Sequence, residues 1–183
     1  DKRLPASVGG FTNGVSALEM AKGYATIKND GGYRNPTCII KITDADGQVL
    51  YQADQTASVV YKENACRQMT DMLQTVITSG TGRGYSLGNM PCAGKTGTTN
   101  DHKDGWFVGY TPYYTTSVWV GYDIPKEVPG LGGGTYPGKI WYAFMSWLHE
   151  GLEPIDFVHP LDQTLTDLGQ TDTTENALPE TGE

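Results

Sequence analysis

The string Ala93-Gly94-Lys95-Thr96-Gly97-Thr98-Thr99 gathers one cation, three hydroxyls and two glycines within seven residues. Cys92–Thr99 reads as a β-strand. Period-2 alternation then places Lys95, Gly97 and Thr99 on one face and Thr96 and Thr98 on the other. Gly97 carries no side chain, so another backbone can lie close against the strand there. Such a strand can take an extended peptide as an added neighbour. An ammonium and a hydroxyl beside it can bind that peptide's terminal carboxylate. Lys-Thr-Gly alone is a short string that recurs by chance, and a strand lysine is otherwise a solvated edge residue. The elements around it decide between these readings.

Ser16-Ala17-Leu18-Glu19 is a capping box, and a helix is expected to run from it to about Lys28, ended by Asn29-Asp30-Gly31-Gly32. Its apolar side uses Leu18, Ala21, Ala25 and Tyr24. Thr37–Thr43 and Gln48–Gln52, joined by Asp44-Ala45-Asp46-Gly47, read as a hairpin. Asn64–Thr78 repeats Ala65, Met69, Met72, Leu73, Val76 and Ile77 at helical spacing. Cys92–Thr99, Trp106–Thr111 and Thr115–Tyr122 form three successive strands, the last two turning at Pro112-Tyr113. Val118, Val120 and Tyr122 share one face, opposite Ser117, Trp119 and Gly121. Leu131–Gly138 is a Gly/Pro loop. A last helix is expected over about Lys139–His149, burying Ile140, Ala143, Phe144, Trp147 and Leu148. The expected class is α+β, an antiparallel sheet of about five strands flanked by helices.

The chain has 183 residues and a net charge of −8, unevenly spread. Residues 161–183 hold six acids and no Lys or Arg, and their Thr/Asp-rich composition predicts a disordered tail after a domain over 1–160. The remaining body is near neutral. It offers neither the basic footprint of a nucleic-acid binder nor a polybasic patch for anionic lipid. No run of about 18 apolar residues occurs, so no membrane contact by this chain is expected. Cys38, Cys66 and Cys92 lie in apolar-periodic segments and form no Cys/His cluster. Buried free thiols are expected, with one disulfide as the alternative, and no metal or cofactor. Asp101-His102-Lys103-Asp104 reads as a polar loop rather than a metal site or a general base. Trp106, Phe107, Trp119, Trp141 and Trp147 read as core and edge packing rather than a sugar-stacking platform.

The long runs around the triplet are more specific than the triplet itself. Gly14-Val15-Ser16-Ala17-Leu18-Glu19-Met20-Ala21, Tyr24-Ala25, Met69–Leu73 and Gly80-Thr81-Gly82 precede Ala93–Thr99. Asp104-Gly105-Trp106-Phe107-Val108-Gly109-Tyr110-Thr111-Pro112, Val118–Asp123 and Gly132-Gly133-Gly134-Thr135 follow it. In this order, over about residues 8–150, the chain resembles the C-terminal part of the transpeptidase domain of class A (bifunctional) high-molecular-weight penicillin-binding proteins, especially the Gram-positive kind.

The resemblance implies a peptidoglycan DD-transpeptidase that works through an acyl-serine on the outer side of the cell membrane and binds β-lactams. Its partners would be stem peptides, β-lactam antibiotics and an upstream segment of the same parent protein. Lys95, Thr96 and Thr98 would bind the carboxylate of the stem peptide, with Gly97 and Thr99 completing the binding strand. The Thr98 N–H would form half of the oxyanion hole, making Lys95 and Thr98 the catalytic contributions. Such enzymes combine Ser-x-x-Lys, Ser-x-Asn and Lys-Thr-Gly. Only the third is present here. Tyr33-Arg34-Asn35 mimics a Tyr-x-Asn variant but falls in the loop before the hairpin, where the resemblance places no catalytic group. The serine, and any membrane anchor, are therefore expected upstream of Asp1, and the chain is expected to be inactive alone. A non-catalytic penicillin-binding-like module is one alternative. A wall-anchored surface protein is another, because Leu178-Pro179-Glu180-Thr181-Gly182 matches a sortase signal, although only Glu183 follows it.

Overall fold

A computed structural model describes Leu4, Ala6 and residues 9–160. The expected tail and the sortase-like string lie outside the described residues. Among the described residues three α-helices and seven strands follow one another: α1 (Ala17–Lys28), β1 (Gly32–Tyr33), β2 (Lys41–Thr43), β3 (Val49–Gln52), β4 (Ser58–Val59), α2 (Glu63–Thr78), β5 (Ala93–Thr98), β6 (Asp104–Tyr110), β7 (Thr115–Gly121) and α3 (Tyr136–Leu148), with a short 3-10 turn (Asn100–His102) between β5 and β6. The architecture is α+β and every strand pair is antiparallel. The strands divide among three sheets rather than lying in one: β5-β6-β7 form a meander, while β2-β3 and β1-β4 are separate ribbons.

The helix starts follow local chemistry where that chemistry is present. Ser16 caps α1, its hydroxyl accepting from the Glu19 N–H while the Glu19 carboxylate accepts from the Ser16 N–H at 2.8 Å. Those contacts hold the Glu19 carboxyl below the usual carboxylate range. The hairpin turn is likewise local, with Asp44 Oδ1 accepting from the N–H groups of Asp46 and Gln48 and Gly47 at φ 80°. The first hairpin strand is shorter than expected, starting only at Lys41. Cys38, in the segment before it, is exposed, against the expectation of a buried thiol; Cys66 and Cys92 are buried. All three are free.

The meander carries the core on both faces. Phe107 and Tyr110 are an odd number of residues apart on β6 and so point to opposite sides. On one side Phe107 packs with Ile77, Cys92, Trp141 and Met145, joined by Val118. On the other, Tyr110 packs with Leu73 and Ala93, joined by Tyr24 of α1 and by Phe157. Helix α2 contributes to both clusters, because it crosses the start of β5. The Tyr110 hydroxyl bonds Thr70 at 2.9 Å.

Helix α3 begins three residues earlier than expected, with Pro near its first turn. Its buried face is Pro137, Gly138, Trp141 and Met145. The expected face is instead largely exposed at Ile140, Phe144 and Trp147. Apolar residues surround this helix, so periodicity admits two faces and the sheet selects one. Gly109 makes room for the face selected, since a Cβ there would stand 2.6 Å from the Trp141 ring. On α2, too, Met69 and Met72 are exposed while Cys66 and Thr70 are buried; on α1, Leu18 is exposed. No described helix is long and apolar enough to cross a membrane.

Candidate functional site

β5 is an edge strand, paired with β6 on one side only. Ala93 and Gly94 are buried beneath α2, and from Lys95 onward the strand emerges into solvent. The direction of its amides follows from the hairpin that ends it. Thr99 N donates to Asp104 O at 3.0 Å, toward β6. Amides alternate along a strand, so the N–H and C=O groups of Thr98 and Thr96 point the other way, out of the sheet. Lys95 Nζ confirms the side, because it donates to Thr96 O at 2.7 Å. The outer edge of β5 thus carries the outward peptide groups of Thr96 and Thr98, with the Lys95 ammonium on the Thr96 carbonyl.

The threonine hydroxyls lie on the face opposite Lys95, and each has an internal partner. Thr96 Oγ1 lies 2.7 Å from Thr81 Oγ1, in the loop after α2. Thr98 Oγ1 accepts the Gly133 N–H at 3.0 Å. That loop, residues 131–135, is pinned from several directions. Tyr85 donates to Gly134 O at 2.6 Å, His102 Nδ1 lies 2.7 Å from Leu131 O, and Thr135 Oγ1 accepts from Gly132 N at 2.9 Å. Thr99 differs from its neighbours. Its hydroxyl donates to Asp104 Oδ2 at 3.1 Å and accepts the Asp104 N–H at 2.8 Å, closing the hairpin. Asp104 also accepts from the Trp119 indole at 3.0 Å, so the polar segment Asp101–Asp104 serves the turn. Among the described residues no group of His, Cys, Asp or Glu could hold a metal ion.

At Gly97 the space left by the missing side chain lies over the neighbouring strand. A Cβ at Gly97 would stand 3.2 Å from Trp106 Cβ across the ladder, on the sheet face and not in the open edge. The backbone that does approach closely is this chain's own: a Cβ on Gly133 would stand 2.7 Å from both N and O of Gly97. The edge is therefore backed on one face by an internal loop and, among the described residues, has no strand paired along its rim.

The profile of the family described as "Penicillin binding protein transpeptidase domain" matches residues 5–146. The chain belongs to this family. Penicillin-binding protein 4 of Bacillus subtilis (strain 168) is 41% identical over 141 residues, covering 77% of this chain and 23% of that protein. Penicillin-binding protein 1A of Aquifex aeolicus is 34% identical over 159 residues, covering 86% and 22%. Among solved structures, PonA1 of Mycobacterium tuberculosis in complex with penicillin V superposes with a TM-score of 0.68 at 34% identity, covering 78% of this chain and 40% of that one. The chain thus spans less than a quarter of the length of these curated relatives.

In this transpeptidase domain, sequence reasoning placed the strand but missed two supports, Thr81 and Gly133. Both sit in glycine strings visible in the sequence, Gly80-Thr81-Gly82 and Gly132-Gly133-Gly134. Nothing local indicates that these loops converge on one strand, since their contacts span 15 and 35 residues.

Proposed function

We propose that this chain supplies the substrate-anchoring edge of a serine DD-transpeptidase, with the nucleophile contributed by another part of the parent protein. The observation that carries the reading is the outward edge of Thr96 and Thr98 with Lys95 Nζ beside it. An extended stem peptide adds to that edge as a further strand. Its terminal carboxylate pairs with the Lys95 ammonium. Thr98 Oγ already accepts from Gly133 N–H, so its own proton is left to donate to the carboxylate. The Thr96–Thr81 pair also has a proton to spare. Gly97 keeps the strand close to Trp106, and Thr99 holds the hairpin that aims the Thr98 N–H.

The chemistry is acyl transfer. A serine oxygen attacks the D-Ala-D-Ala carbonyl, and the developing oxyanion accepts from Thr98 N–H and from the N–H of the serine itself. The amide bond breaks, D-alanine leaves with a proton, and an acyl-serine remains. The amine of a second stem peptide then takes the acyl group, regenerating the serine. A β-lactam follows the first half and stays attached. Penicillin V is bound by PonA1, which supports extending that ligand class to this chain. The work is on the cell wall, outside the cytoplasm.

Labelling with fluorescent penicillin tests this. The protein that carries this chain together with its upstream half is expected to label covalently, and the chain alone is not. Lys95→Ala should lower the acylation rate roughly 30-fold or more, the smaller figure expected for losing one partner of a charge pair. Unchanged acylation in Lys95→Ala would remove the role given to the strand.

A further inference from the structure

At the other end of the meander, where β7 begins, a cavity of about 290 Å³ opens between α1 and the segment 34–37. Thr115 lines it. Thr115 pairs with Tyr110, which pairs with Ala93, whereas Thr98 lies five residues farther along β5. At ~3.4 Å per residue and ~4.8 Å per strand, the cavity is roughly 20 Å from Thr98.

The lining has an unusual charge. The chain holds 21 acids and 13 bases, yet Lys22 and Arg34 face this cavity and no Asp or Glu lines it. The other polar lining groups include the amides of Asn29, Asn35 and Gln55, each with N–H to donate, while the Thr37 hydroxyl already donates to Ile39 O at 3.0 Å. The nearby acids are already committed. Glu19 is held by Ser16 N and Oγ, with the Lys22 charge as a lesser influence on its carboxyl, and Asp30 is held by Arg67 at 3.1 Å. Among the described residues Lys22 and Arg34 form no ion pair. Arg34 gives Nε to Gln55 O at 3.1 Å, which fixes the guanidinium and leaves its terminal N–H groups for a ligand. Lys22 lies over the Tyr33 ring at 5.4 Å from its centre. Asn35 Oδ1 accepts from the Tyr33 hydroxyl at 2.7 Å, so its amide N–H₂ is the end that remains to donate. The field is felt by a neighbour: the half-buried Lys28 ammonium is pushed below its ordinary value, by burial first and by Arg34 second. An electropositive, donor-lined hollow with a braced arginine and no internal carboxylate is arranged for an anion from outside.

We propose that this cavity is a second binding site, taking a small ligand through carboxylate or phosphate oxygens, with Lys22 and Arg34 as the charged contacts and Asn29 and Asn35 as neutral donors. Leu18, Ala21, Ala25 and Pro36 form its apolar wall, so a short organic stem on the anion is accommodated. The site is independent of the transpeptidase reading, since no residue of β5 lines it.

Isothermal titration of protein carrying the complete chain, at ionic strength fixed with chloride, tests it. Inorganic phosphate, glycerol 3-phosphate and N-acetylglycine are the probes. Saturable one-site binding of any of them is expected, and the tightest separates a phosphate source from a carboxylate source. Arg34→Gln and Lys22→Gln should each weaken it at least tenfold. Lys41→Gln, which removes an exposed cation on the hairpin, should leave it unchanged. Far-UV circular dichroism and the melting temperature of the variants show that the fold is kept. Should Arg34→Gln lose its fold, Lys22→Gln on the α1 surface carries the same test. Binding that never saturates, that matches chloride, or that survives both variants overturns the proposal. Penicillin labelling of the Arg34→Gln parent should remain at the wild-type rate, so failure here and failure of the strand assignment read out separately.

Discussion

The meander β5-β6-β7 and the hairpin β2-β3 are both antiparallel ribbons written in β-branched and aromatic residues, and their fates differ. The hairpin exposes every one of its strand residues. The meander buries Phe107 and Tyr110 completely and is covered by helices on both faces. Strand-forming sequence therefore makes a ribbon, and only coverage makes it rigid enough to hold peptide groups in one place. The proposed substrate edge sits on the covered ribbon, at the point where coverage stops. Ala93 and Gly94 anchor β5 in the core, and Lys95 through Thr98 extend from that anchor.

The contrast is broken most directly by deleting one large side chain on each ribbon. Phe107→Ala should cost about 3–5 kcal/mol, the usual loss for a buried aromatic. Leu50→Ala on the hairpin, where the side chain is 67% exposed, should change stability by no more than ~0.5 kcal/mol. Urea unfolding of both variants measures the difference, and equal losses would mean that the hairpin is covered in solution.

Glycine gives the next largest effect. In the meander the requirement is space: a Cβ on Gly133 collides with backbone of Gly97, which cannot move aside. Gly133→Ala should cost roughly 1–3 kcal/mol and loosen the loop behind Thr98. In the hairpin the requirement is only the dihedral, since Gly47 has φ +80° and nothing within 4 Å. Gly47→Asn, a residue that tolerates that conformation, should be nearly neutral. A melting series of the two variants checks the order.

A smaller effect comes from Tyr110. Burial pushes its phenol up to about 12, with the Thr70 hydrogen bond pulling the other way. The folded state thus holds this proton more tightly than the unfolded chain, where tyrosine titrates near 10. The resulting stability is whole below pH ~10 and is lost as pH rises toward 12. Urea midpoints across that window should fall more steeply for the native chain than for Tyr110→Phe. Parallel slopes would place the pH dependence elsewhere.

The mildest test perturbs nothing. Cys38, exposed just before the hairpin, should react with iodoacetamide in the native state. Cys92, buried at the start of the meander with its thiol pushed up by burial, should react only on unfolding. Mass spectrometry of peptides after graded labelling distinguishes them, and simultaneous labelling would contradict the difference in coverage.

The sequence by itself determined what depends on neighbours along the chain. The Ser16–Glu19 box set where α1 begins, Asp44 and Gly47 set the hairpin turn, and alternation set the faces of β7, with Val118 in the core and Trp119 outside. The triplet and the runs beside it located the edge strand. These features rest on hydrogen bonds and side-chain directions within a few residues, which composition and spacing encode directly. Tertiary structure decided which apolar face of α3 was buried, because Tyr136, Ile140, Phe144 and Trp147 are as apolar as Trp141 and Met145. It also decided the division of the strands into three sheets, since β1 and β4 are two residues each and carry no period to read. Thr81 and Gly133 were fixed behind β5 the same way. Contacts between residues distant in sequence depend on shape and packing, and a one-dimensional pattern records neither.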